Sequence, residues 1–80
     1  MRAIFNEANR MAEYLGLRSP VARIDVLNRQ LYEGHARFLP TSGNQLEIEW
    51  HGVNATGRDK RELVENWITM TERQIEQVGA

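Results

Sequence analysis

Two histidines and two carboxylates stand where transition-metal chemistry would need them. His35, His51, Glu33 and Glu49 are residue types that hold zinc and related ions. Their spacing implies a hairpin. With a turn at Thr41-Ser42-Gly43, the stretch from Tyr32 to Gly52 pairs Arg37 with Glu47, His35 with Glu49 and Glu33 with His51. The alternate positions pair Phe38 with Leu46, Ala36 with Ile48, Gly34 with Trp50 and Tyr32 with Gly52. One face is then complementary charge and the other apolar, and a slip by one residue would mix them. Ligands on a flat, open sheet face lack the convergence and supporting hydrogen bonds of a metal centre. The pattern therefore reads as cross-strand charge pairs, with no metal and no cofactor.

Catalysis finds less support. A nucleophile needs an adjacent base and a third group to orient it. The serines, Ser19 and Ser42, fit better as cap and turn residues. Glu47 and Glu49 share a face, but an exposed pair has no burial to separate two pKa values. Gly52 and Gly57 are isolated and make no phosphate-cradling loop. The expectation is a non-enzymatic protein with no catalytic residue.

Arg58, Lys60 and Arg61 crowd the first turn of the last helix, where the helix dipole favours anions. Either they meet a phosphate or an acidic partner, or Arg58–Glu62 and Arg61–Glu65 pair locally at i, i+4. Tyr14, off the apolar stripe of the first helix and beside Ala3 and Arg10, has the composition of an interface anchor.

These residues need a scaffold. Residues 2–15 read as a helix with Ile4, Ala8, Met11, Ala12 and Leu15 on one stripe. Gly16 fits a left-handed cap, with Leu17 packing back on the last turn. Residues 21–27 alternate Ala22, Ile24 and Val26 with Arg23 and Asp25, which favours a strand, although Asp25 then faces Glu33. The alternative is a helix over 20–33, opened by Ser19-Pro20 and closed by Gly34. A third strand runs from Gln45 to Trp50, with a bulge at His51-Gly52 carrying it through Val53. Residues 59–78 form a helix opened by Asp59 and Glu62, with Leu63, Val64, Trp67, Ile68, Met70, Ile75 and Val78 inward. Trp50 and Trp67 belong to the core. The fold class is α+β, a single domain over 1–80: a three-stranded antiparallel meander packed against two helices in the order α-β-β-β-α, or α-α-β-β-α if residues 20–33 are helical.

That order, with a basic start to its last helix, is similar in outline to the double-stranded-RNA-binding domain. Gly57, Lys60 and Arg61 echo that family's glycine followed by a lysine-rich helix start. The chain departs from the pattern in a short loop after the first strand, which lacks a contact histidine. Its net charge of -1 also differs from the basic surface such domains need. No RNA-binding residue is carried over.

Eighty residues without cysteine must fold on an apolar core alone or with a partner's help. No apolar run is long enough for a membrane span and no secretory leader is evident, so a cytoplasmic location is expected. Residues 1–40 carry six arginines against four acids, while residues 41–80 carry four basic residues against seven acids. Such a chain reads as a small protein–protein interaction module, of the kind phages and mobile elements encode to inhibit or regulate host complexes. The alternatives are nucleic-acid binding through the basic helix start and a phage structural or assembly subunit. The surfaces offered to a partner are Glu33, His35, Arg37, Glu47, Glu49 and His51 on the sheet, Arg58, Lys60 and Arg61, Tyr14, and a strand edge able to form a homodimer.

Overall fold

The computed structural model describes the backbone of residues 2–41 and 43–79 and the side chains of 7–41 and 43–74. Ser42 and the side chains of Ile4, Ile75 and Val78 lie outside the described residues. The elements are α1 (Arg2–Gly16), α2 (Pro20–Glu33), β1 (Ala36–Leu39), β2 (Leu46–Trp50), β3 (Val53–Gly57) and α3 (Lys60–Gly79). The strands form one antiparallel sheet in the order β1-β2-β3. Helix α3 lies along β3, α1 packs on α3, and α2 bridges α3 and β1. An α+β meander against helices is therefore present. The order is helix–helix–strand–strand–strand–helix: two helices come first, as in the alternative order, and the third strand is Val53–Gly57, which both expected orders joined to the strand from Gln45.

Residues 20–33 are helical, which corrects the strand preferred over 21–27. Both ends are closed. Ser19 Oγ accepts from the Ala22 amide at 3.2 Å, and Pro20 occupies the first turn, where its missing N–H costs nothing. Gly34, at φ 86°, ends the helix: its amide donates to the Leu31 carbonyl, and the His35 amide reaches back to Gln30. The inward stripe is Arg23, Val26, Leu27, Gln30 and Leu31, a helical spacing partly hidden because two of its members are polar. Both have tasks. Arg23 Nε donates to the Leu15 carbonyl at 2.7 Å, and Gln30 Oε1 accepts from the Trp50 indole at 3.1 Å.

The first hairpin keeps its expected faces but slides by two residues. Ala36 faces Trp50, Arg37 faces Glu49, Phe38 faces Ile48 and Leu39 faces Glu47. Gly34 is held by the helix end, so Ala36 is the first small residue that can lie opposite the indole. β1 ends at Leu39, before Pro40. A shift of two preserves side-chain parity, so Ile48, Trp50 and Ala36 stay buried.

His51-Gly52 is a two-residue turn and not a bulge. Both residues have positive φ, 53° and 79°, as the tight turn that matches strand twist requires. Val53, Ala55 and Gly57 then face inward along β3. Gly57 lies so close to α3 that a Cβ there would stand 2.6 Å from the Leu63 amide nitrogen.

The core is built around the indoles of Trp50 and Trp67, tilted at 32° with ring centres 4.5 Å apart. Trp67 Nε1 donates to the carbonyls of Trp50 and Val53 at 3.1 and 3.2 Å, which locks α3 onto the second hairpin. Ala8, Ala12, Leu15, Leu27, Leu63 and Val64 complete the packing. The left-handed cap expected at Gly16 is absent. The chain leaves α1 through short-range bonds from the Leu17 and Arg18 amides to Tyr14 and Leu15, and Leu17 points into solvent.

Candidate functional site

The described charged residues of the sheet mostly face one another. Arg37 Nε and Nη2 both reach Glu49 Oε1 at 2.6 Å. This replaces the expected pairing with Glu47, which lies on the same face beside Leu39. Both partners are well exposed, so the pair contributes a fraction of about 1 kcal/mol.

The histidines leave the strands altogether. Glu33 ends α2, and His35 follows in the link to β1, its Nε2 3.8 Å from Glu33 Oε1. His51 sits in the turn, stacked beside Trp50 with ring centres 6.2 Å apart, its Nδ1 3.8 Å from Glu7 Oε1. Burial pushes the His51 pKa below its ordinary value; Glu7 opposes the shift and His35 adds to it. The predicted pairs His35–Glu49 and Glu33–His51 therefore do not form. His35 and His51 line, together with the Arg37–Glu49 pair, a cleft of about 190 Å³. Among the described residues no three groups converge as a metal centre would require.

The basic start of α3 is likewise tied down. Asp59 accepts from the Glu62 amide at 2.9 Å, the cap the sequence announces. Glu62 reaches back to the Arg58 amide at 2.8 Å and to its guanidinium at 3.3 Å. These bonds, the amide first, hold the Glu62 carboxyl below its usual range. Arg61 Nε lies 3.6 Å from Glu65, and Lys60 Nζ donates to Asn28 Oδ1 at 2.7 Å across to α2. Each of the three cations has a partner within the chain.

The elbow between α1 and α2 is built differently. Leu17 and Val21 are 88% and 71% exposed, and Tyr14 is half-exposed. The Arg18 guanidinium lies 4.6 Å from the centre of the Tyr14 ring, so Tyr14 is paired with Arg18 and not with Arg10. Beside them a groove of about 200 Å³ has an apolar floor of Ala22, Val26 and the Tyr14 ring. Its charged rim is Arg18, Arg29 and Asp25. Among the described residues neither arginine has a carboxylate partner. Sequence reasoning singled out Tyr14 alone here. The exposure of Leu17 and Val21 became legible only with α2 helical, because Leu17 then lies in the turn before its cap and Val21 in its first turn.

No protein-family model matches the chain, and no similarity to a curated protein or to a solved structure is found. Among the described residues no helix is long and apolar enough to cross a membrane.

Proposed function

We propose that this chain is a non-enzymatic protein-binding module, an inhibitor or regulator that acts by covering a surface of a larger protein through the α1–α2 elbow. One observation carries this reading. Leu17 and Val21, beside Tyr14 and Arg18, remain in water although α1 and α2 bury other residues completely. Exposing two aliphatic side chains forgoes about 1.5–3 kcal/mol of burial each. Tyrosine and arginine are the types enriched at interface centres. The groove's two arginines against one aspartate favour a partner segment bearing an apolar side chain next to a carboxylate. The basic start of α3 gives less to a nucleic acid, because Glu62, Glu65 and Asn28 already engage its cations.

The test is affinity capture from a native lysate after nuclease treatment. The expected outcome is a protein partner retained by the wild type and by Arg58→Ala with Lys60→Ala and Arg61→Ala. That partner is lost from Leu17→Asp with Val21→Asp, whose far-UV circular dichroism stays unchanged. Equal capture by the elbow variant rejects this site. Recovery that disappears with nuclease, and with rising salt, replaces the reading with nucleic-acid binding.

A further inference from the structure

The side of α2 turned away from the core carries a row of residues that the rest of the fold leaves uncovered. Val21, Asp25, Asn28 and Tyr32 recur at intervals of four, three and four residues, which aligns them along one face of the helix. Buried Leu27 and the inward Arg23 and Gln30 lie on the far side. All four residues of the row are exposed, and Tyr32, at 93%, is the most exposed of the large apolar side chains described. Arg29 flanks the row, four residues after Asp25. That spacing suits an ion pair, yet neither residue takes part in one among the described residues. The row therefore runs from an aliphatic residue at its start, through opposite charges in its middle, to an aromatic residue at its end.

We propose that α2 packs antiparallel on α2 of a second copy, about a twofold axis at the middle of this row. Charge complementarity selects the second copy and the direction. Setting Val21 opposite the second copy's Tyr32 brings Asp25 beside the second copy's Arg29 and Asn28, and the twofold axis repeats each contact. Two aliphatic–aromatic contacts then flank two carboxylate–guanidinium pairs. A parallel pairing would set Asp25 against Asp25 and Arg29 against Arg29, like charges that oppose association. Alternating intervals of three and four residues keep such a row in contact when two helices cross at a shallow angle. The contact is isologous, so it closes as a dimer and does not propagate. A helix of 14 residues is about 21 Å long. One such pair covers less than the roughly 1,200 Å² at which stable interfaces begin, so the dimer is weak and reversible. Asp25 and Arg29 also rim the elbow groove, so a second copy competes with an elbow partner, but the proposal does not rest on the elbow's having one.

The test is sedimentation equilibrium from about 1 μM to about 1 mM, a range that resolves weak association. The wild type should dimerise reversibly. Asp25→Arg and Arg29→Asp, each alone, should weaken the dimer at least about tenfold, with far-UV circular dichroism unchanged. An equimolar mixture of the two variants should recover association, because each copy then supplies the charge that the other lacks. A monomer throughout the range overturns the proposal. So does a dimer that both single variants leave intact, or a mixture that associates no better than either variant alone. Because the chain has no cysteine, single-cysteine variants report the direction. Under mild oxidation Val21→Cys mixed with Tyr32→Cys should cross-link into the mixed dimer. Preferential linking of either variant to itself rejects the antiparallel arrangement.

Discussion

The β3–α3 unit and the α1–α2 elbow treat their side chains in opposite ways. In the first, Gly57 admits the start of α3 at van der Waals limits, Trp67 bonds two carbonyls of the second hairpin, and Asn66 bonds a third. In the second, the buried residues Leu15 and Leu27 are neighboured by Leu17 and Val21, which stand mostly in water, and by Tyr14, half-exposed under Arg18. A small domain has little apolar surface to leave unburied. Where it does so beside arginines that have no carboxylate partner among the described residues, the surface is available for another molecule, while the region fitted on all sides is committed to folding.

Substitutions should separate the two regions by size of effect. Gly57→Ala is expected to be the most damaging, because the new methyl meets backbone and not a flexible side-chain end. A loss of about 1–3 kcal/mol, read from urea denaturation, is the expectation for overpacking of this kind. A neutral result would show that α3 is less tightly seated than its contacts indicate. Gln30→Leu should cost about 1–3 kcal/mol by leaving the Trp50 indole N–H buried without an acceptor. That change tests whether α2 is locked to the sheet or merely rests on it.

A pH series probes the seam where α1 meets the hairpin turn. The His51 pKa is lowered in the folded state, chiefly by burial, so the unfolded chain takes up a proton first. Stability should fall as pH drops through the ordinary imidazole value of about 6.5 and level off below the folded value. His51→Asn, compatible with the positive φ of the turn, should flatten this part of the urea-midpoint profile. An identical profile in the variant would assign the dependence to other groups. The smallest stability effect belongs to Leu17→Ser with Val21→Ser, within about 0.5 kcal/mol per site. A larger loss would mean that the elbow contributes to folding after all, and the contrast between the two regions would close.

Several features were legible in the chain because local chemistry dictates them. The Asp59 cap, the inward stripe of α3, the burial of both tryptophans and the parity of β1 against β2 follow from residue type and period. The reading of 20–33 went astray because Arg23 and Gln30 occupy inward positions, and their justification lies in groups distant in sequence, the Leu15 carbonyl and the Trp50 indole. The charge pairs of the hairpin went astray by two residues for a related reason. Charge complementarity tolerates several registers, whereas Gly34 can serve only one purpose and is required at the end of α2.

The linear chain by itself settled which faces are apolar, where α3 begins and that an antiparallel sheet packs against helices. These depend on alternation, caps and turns within a few residues of one another. Only the tertiary structure decided that 20–33 is helical, that Arg37 meets Glu49, that the histidines stand apart from the strands and that Leu17 and Val21 remain in water. Each of those outcomes depends on contacts between segments far apart in sequence, whose competing arrangements differ little in local free energy and are resolved by what packs against them.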